Sequence, residues 1–328
     1  MHSTTDDSQP AAWKLILAFA TIYISWGTTY LAIQLGVNEE KMPPLMFGGS
    51  RLFTAGVVLL GIQALRGQKV RLARTDLWPL VIAGVLLFVG GNGGISIAVQ
   101  TITSGESSVL AATMPLWMGL LAMLWLDGDR LNLVGWLGLA VGFLGVGFLF
   151  APKLVRGASL FQEVGAFFAL ASAALWALGS LIVRHVKLSL PRFSSAAWQM
   201  AIGGGAMIVV GFARGEETPQ RITLGAFGVW IWLLVVGSWM GFVAFNWLLE
   251  HVSAARVGTY AYVNPLLAVL LGWAIHAEEV SAWLLEGLGC ILAGVFLVRW
   301  GEVHPTRGTD EASNSDESSP AIASPISK

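Results

Sequence analysis

Charge is what this chain lacks most. Only 12% of its 328 residues are Asp, Glu, Lys or Arg, against about 25% in an average soluble domain. Hydrophobic residues make up 55% of it, and the mean hydropathy is +0.69. These values exclude an ordinary soluble fold and point to a polytopic membrane protein. The formal net charge is −1, so the bulk balance suggests no nucleic-acid partner. Cysteine is nearly missing. Cys290 stands alone in an apolar run, so it forms no internal disulfide, and the five histidines are scattered, so no metal site is suggested. Lys and Arg are absent from the first twelve residues, which hold Asp6 and Asp7. The apolar run that follows is far longer than a signal-peptide core and has no small-residue cleavage site, so it is expected to stay as a membrane helix.

What is present is a series of ten apolar runs, roughly 13–37, 43–65, 77–99, 104–126, 132–151, 161–185, 193–213, 224–249, 253–275 and 281–300. Each has about the 20 residues that cross a bilayer as a helix. The loops are short, so no soluble domain is inserted. Residues 1–12 read as a cytoplasmic N-terminal segment. The tail 301–328, rich in Ser, Pro, Asp, Glu and Thr, reads as a disordered cytoplasmic end. Orientation follows the basic residues. With the N-terminus cytoplasmic, the inner side holds Lys14, Arg66, Lys69, Arg71, Arg74, Arg130, Arg184, Lys187, Arg192, Arg256 and Arg299, with Arg307 and Lys328 in the tail. The outer loops hold Lys41, Lys153, Arg156, Arg214 and Arg221. Both termini are therefore expected in the cytoplasm.

An internal repeat accounts for the helix count. Trp26 falls on Trp176 and Pro115-Leu116 on Pro265-Leu266. With one gap, Gly138, Gly145 and Val146 fall on Gly287, Gly294 and Val295. The chain thus reads as an all-α polytopic membrane protein, ten transmembrane helices in two five-helix repeats, 13–151 and 161–300. Five is odd, so the second repeat enters the membrane inverted. Secondary transporters commonly have this architecture, with substrate near the midplane between the halves; some channels have it too.

Several residues stand out within the runs. The ninth holds Tyr260-Ala261-Tyr262-Val263-Asn264-Pro265. Proline removes a backbone donor, which suits a helix lining a polar cavity better than one facing lipid. Pro115 and Pro265 are therefore expected hinge positions. Gly90-Gly91-Asn92-Gly93-Gly94 lacks the Lys-Ser/Thr and the strand context of a phosphate loop. It permits close helix contact or local unwinding instead. Asn92, Ser96 and Gln100 share a face that lines a cavity or meets a neighbouring helix. Tyr23, Trp26 and Tyr30 lie near one face of the first helix, beside Thr28. Ser172, Trp176 and Ser180 follow each other at i+4 in the sixth, and Ser238 and Asn246 lie on one face of the eighth. Arg51 is the deepest charge, awaiting an acid, a carbonyl dipole or a substrate carboxylate, unless it reaches the outer interface. No mid-span Asp, Glu or His stands out as a proton relay. The small-residue rows Gly135, Gly138, Gly142, Gly145 and Gly287, Cys290, Gly294 read as packing seams, with a homodimer contact through helix 5 or helix 10 as the alternative.

These residues together resemble the drug/metabolite transporter superfamily, and within it EamA-family permeases of the YedA-like kind. The resemblance rests on Trp26-Gly27-Thr28, Pro44 through Arg51-Leu52, Gly91-Asn92-Gly93, Ala112-Thr113-Met114-Pro115-Leu116, Trp176 with Gly179-Ser180, Tyr260 through Pro265, and Glu278-Glu279-Val280-Ser281. It implies ten helices, with helices 1–4 and 6–9 around a central cavity and 5 and 10 at its ends. One departure is plain: Thr113-Met114-Pro115 stands where the second repeat has Val263-Asn264-Pro265.

The reading predicts an inner-membrane secondary carrier that exports amino acids or related small amphipathic metabolites by alternating access. A drug or other metabolite permease, a channel and a non-transporting scaffold are the alternatives. The expected substrate contacts are Trp26, Thr28, Asn92, Ser96, Trp176, Ser180, Asn246, Tyr260 and Asn264. No catalytic group, cofactor or metal is expected, and the partners are a small solute and the lipid bilayer.

Overall fold

In a computed structural model of the chain, residues 11–124, 130–155, 163–252 and 254–303 are described. Nearly all of residues 1–12 and 301–328, together with Arg156, Arg307 and Lys328, lie outside that range. Nine described helices are long and apolar enough to cross a membrane. They are α1 (Ala12–Glu39), α2 (Pro44–Leu65), α3 (Arg74–Ala98), α4 (Ser104–Met123), α5 (Leu133–Pro152), α6 (Val164–His185), α7 (Arg192–Ala213), α8 (Leu224–His251) and α10 (Ala282–Trp300). The ninth apolar run is shorter as a helix than its hydropathy suggests: α9 is Tyr260–His276, after a separate turn at Ala254–Val257. The face on which α1 starts and α10 ends is termed the terminal face, and the other the distal face. One feature is not helical: Arg130–Leu131 pairs antiparallel with Glu302–Val303 at the terminal face.

Local chemistry sets several helix starts. At α4, the Thr103 hydroxyl accepts from Glu106 N at 3.0 Å, and the Glu106 carboxylate accepts from Thr103 N at 3.3 Å. This reciprocal box satisfies two donors that the first turn leaves over. Thr223 and Ser281 cap α8 and α10 by accepting from Ala226 N and Leu284 N. Pro43-Pro44 opens α2, where no backbone donor is needed.

The repeat is visible in the packing. Each of two helix pairs joins a helix to its own counterpart. In α5 and α10, a Cβ on Gly138 would meet the Gly294 carbonyl at 2.8 Å, and one on Gly145 would meet the Gly287 carbonyl at 2.7 Å. The repeat carries Gly138 onto Gly287 and Gly294 onto Gly145, so the two contacts exchange. In α2 and α7, a Cβ on Gly49 would meet the Gly204 carbonyl at 2.8 Å, and one on Gly56 would meet the Ala197 carbonyl at 2.5 Å. Counted from the helix starts Pro44 and Arg192, Gly49 matches Ala197 and Gly56 matches Gly204. These are contacts about a two-fold axis in the membrane plane. The glycine rows of α5 and α10 thus pack against each other inside one chain.

Among the remaining helices, the third and fourth of each repeat depart from regular α-helix, as does α1, which is broken at Thr28 and ends in a π stretch at Leu35–Glu39, whereas its counterpart α6 is continuous. The third helix of each repeat carries a π-helical stretch, Val85–Gly93 in α3 and Leu233–Met240 in α8. Such a stretch re-aims side chains, frees a carbonyl, and is frequent at functional sites. The fourth helix of each repeat is interrupted. In α4 the interruption at Ala112-Thr113 separates Ser104–Ala111 from Met114–Leu124. Pro115 favours it, since its ring crowds the Ala111 carbonyl in a regular helix, and Thr113 closes the turn with its hydroxyl on Leu110 O at 2.6 Å. In α9 the interruption comes earlier, at Gly258-Thr259, and Pro265 lies inside continuous helix.

Candidate functional site

A row of contacts links the two repeats inside the molecule. It begins at Arg51, which is 3% exposed. One terminal nitrogen of its guanidinium donates to Asn92 Oδ1 at 2.7 Å and the other to Ser238 Oγ at 3.2 Å. Asn92 and Ser238 lie on the two matched π stretches. Ser238 also donates to Leu233 O at 3.1 Å, a carbonyl of its own π stretch. The residue before it, Gly237, uses its carbonyl to accept the Trp26 indole N–H at 3.2 Å. The Trp26 ring meets Tyr260 edge-on at 4.8 Å, and Phe245 packs on both, at 5.3 Å from Trp26 and 6.1 Å from Tyr260. Edge-to-face geometry at these separations is the favourable one for aromatic pairs. One turn beyond Tyr260 sits Asn264, 7% exposed, whose Oδ1 is buried without a partner.

The row brings together four of the expected contacts, Trp26, Asn92, Tyr260 and Asn264, with Arg51. Other expected residues are placed differently. Ser96 is buried and donates to Asn92 O in its own helix at 3.0 Å. Trp176 packs on Phe88 at 6.0 Å, edge-on, and against Gly91, where a Cβ would come within 2.5 Å of its ring. Its helix is tied to the same stretch by Ser172, whose hydroxyl donates to Gly91 O at 2.5 Å. Ser180 is half-buried on that helix, one turn further on. Asn246 is buried and donates to Phe242 O at 2.8 Å, a bond within its own helix. Thr28 lies on the side of α1 toward Trp232, whose indole donates to it at 3.1 Å. Arg51 is buried within the protein. Gln100, on the expected Asn92 face, is exposed at the end of α3.

Sequence reasoning missed the closures above and below the row. At the distal face Glu278 is buried and accepts from Ser104 N at 3.0 Å, Ser104 Oγ at 2.7 Å and Gly105 N at 3.0 Å. A carboxylate on the first turn of α4 meets unpaired donors and the positive end of the helix dipole. Glu216 does the same for α2, accepting from Leu45 N and Met46 N at 3.1 and 2.9 Å. Glu40 accepts from Thr223, the cap of α8. Three carboxylates thus fasten one repeat to helix starts in the other. At the terminal face Asp76 accepts from the backbone and hydroxyl of Ser189, just before α7, and Tyr23 shares a 2.7 Å hydrogen bond with Thr259. Glu278-Glu279 was visible as a motif, but no local spacing ties it to a helix start so far back in the chain.

Comparison with known proteins agrees with this architecture. The model of the EamA-like transporter family matches residues 13–151 and 163–300, which are the two repeats. The Escherichia coli (strain K12) protein named "Uncharacterized inner membrane transporter YedA" is 33% identical over 286 residues, covering 87% of this chain and 90% of that protein. The Bacillus subtilis (strain 168) protein named "Uncharacterized transporter YoaV" is 25% identical over 288 residues, covering 87% and 96%. A solved crystal structure superposes with a TM-score of 0.61 at 18% identity, covering 88% of this chain and 98% of that one, which shows a shared fold. Two repeats matched end to end, and a relative aligned along nearly its whole length, lead to one conclusion: the chain belongs to the EamA-like transporter family.

Proposed function

We propose that the protein is a multi-pass inner-membrane carrier that exports small amino acids or related amphipathic metabolites by alternating access, with both termini in the cytoplasm. The observation that carries this reading is the matched deformation of the two repeats. Both third helices are π-helical and both fourth helices are interrupted, and these irregularities flank the row from Arg51 to Asn264. Irregular backbone at membrane depth is tolerated where it lines a site between inverted halves.

The packing of α9 supports a rocking motion. It lies on α1 and on the distal segment of α4, Ser104–Ala111, whereas the second segment of α4, Met114–Leu124, turns to α6 and α10. The two interrupted helices are therefore together at the distal face and apart toward the terminal face. We read this as a conformer closed distally. In the row, Trp26 and Tyr260 would cover the apolar part of a solute, and Asn264 Oδ1, left without a partner, would accept from its polar head. Pro115 and the interruption at Gly258-Thr259 mark where the helices would bend, with Pro265 keeping a carbonyl free one turn below.

Counterflow of a labelled amino acid in vesicles containing the purified protein tests the reading. Stimulated counterflow is expected of a carrier; flux without it would mean a channel, and no flux for any amino acid would mean a scaffold or a different solute class. Asn264→Ala is expected to reduce flux at least tenfold while leaving the yield of folded protein close to wild type. Unchanged flux would remove Asn264 from the site.

A further inference from the structure

We infer that Arg51 is the anion-recognition group of this site, so that the carried solute presents a carboxylate to it; this rests on the carrier reading above. A guanidinium has five N–H donors. Two of them are engaged by Asn92 and Ser238, both uncharged, and Nε is buried with no partner at all. No ion pair to Arg51 is found among the described residues. A cation held in a membrane without a countercharge is costly, by roughly 2.5–3.5 kcal/mol on insertion scales, and two neutral acceptors offset only part of that.

Packing alone does not require the charge. Arg51 is the eighth residue of α2, and the eighth residue of α7 is Gln199, buried at 7% exposure at the matching register. The second repeat fills this position with a neutral amide. A structural tie between α2, α3 and α8 could be made by such an amide, so the full charge and the unused Nε–H are in excess of that role. A carboxylate supplies what is missing: one unit of negative charge, and two oxygens matched to the fork of the guanidinium. The site is also continuous with the aromatic cluster. Ser238 follows Gly237, which holds the Trp26 indole. A solute with its carboxylate on Arg51 would place its remaining body against Trp26 and Tyr260, toward the open acceptor of Asn264.

Three probes that share a benzyl body separate the contributions: L-phenylalanine, 3-phenylpropanoate, which lacks the ammonium, and phenethylamine, which lacks the carboxylate. Each is tested for thermal stabilisation of the purified protein and for counterflow in vesicles. Phenylalanine and 3-phenylpropanoate are expected to stabilise and to be carried, and phenethylamine to be at least tenfold weaker. Arg51→Gln, which copies the second repeat, should erase the preference for carboxylates. Arg51→Lys, which keeps the charge and loses the fork, should retain the preference at tenfold or more reduced affinity, and it guards against misfolding of the first variant. Equal binding of all three probes, or a carboxylate preference that survives Arg51→Gln, overturns the inference while leaving the carrier reading in place. No binding or flux of any of the three probes also overturns the inference, while the carrier reading falls only if no amino acid gives counterflow.

Discussion

Trp26 is one of the residues on which the two repeats meet. Its indole N–H is held by Gly237 O and its face by Tyr260 and Phe245. Trp26→Phe keeps the ring contacts and removes the hydrogen bond. A neutral hydrogen bond of this kind contributes about 1 kcal/mol net, and a carbonyl left without a partner adds to the loss. The expected result is a small drop in melting temperature with a larger drop in solute affinity, measured by thermal shift with and without solute. A large drop in melting temperature alone would make Trp26 a packing residue. Much of this was legible in the sequence. Trp26 stands out as an aromatic at mid-span, and Tyr260 and Asn264 as polar groups beside Pro265 in an apolar run, features that fit poorly with lipid. Ser238 was visible on its helix face, but its partner was not, because a π stretch shifts the register on which face counting depends.

At the scale of elements, the carboxylates at the distal face tie each repeat to helix starts in the other. Glu278 accepts three hydrogen bonds at the start of α4. Charge-assisted bonds of this type are worth about 1.5–3 kcal/mol each when one partner is removed. Even about 2 kcal/mol is roughly a thirtyfold change in a two-state balance. Glu278→Ala is therefore expected to loosen the distal closure. The readout is the rate at which a cysteine placed at Ser107, in a Cys290→Ala background, reacts with a membrane-impermeant thiol reagent added from the distal side. An increase of tenfold or more is expected; an unchanged rate would show that the closure does not depend on this carboxylate. The helix starts at Ser104, Leu224 and Ala282 fall within a residue of the beginnings of the apolar runs 104–126, 224–249 and 281–300. The latch was not legible in this way, because it joins Glu278 to Ser104 across the repeat boundary, and nothing in local sequence encodes such a contact. The interruption just before α9 was not legible for a related reason. Pro265 suggests a break, yet the helix tolerates it, and the break occurs where Gly258 and Thr259 give the backbone freedom and a hydroxyl partner.

At the scale of the whole molecule, the inverted repeat was the most legible property, since matched tryptophan, proline and glycine positions survive in both halves. What the sequence pattern left open was the use of the glycine rows. In the structure they hold α5 against α10, as Gly49, Gly56 and Gly204 hold α2 against α7. A Cβ on Gly56 would lie 2.4 Å from Ala201 N and 2.5 Å from Ala197 O, so Gly56→Ala forces two backbones apart. Overpacking of this degree is expected to lower stability by about 1–3 kcal/mol, read as a lower melting temperature in detergent. An unchanged melting temperature would mean that the α2–α7 seam yields freely.

The two seams have a further property. The repeat carries the Gly138–Gly294 contact onto Gly287–Gly145, and Gly49–Gly204 onto Ala197–Gly56. If the halves exchange shapes during transport, each seam is mapped onto itself, and the same set of contacts exists before and after. Its energy enters both end states equally and drops out of their difference. The seams would then fix how firmly the protein holds together, and would have no vote on which way it faces. That choice would fall to groups lying off the axis, Glu278, Glu216 and Asp76 among them. Seam variants and latch variants are thus expected to be orthogonal: the first shift the melting temperature at constant conformational balance, the second shift the balance with a smaller effect on melting.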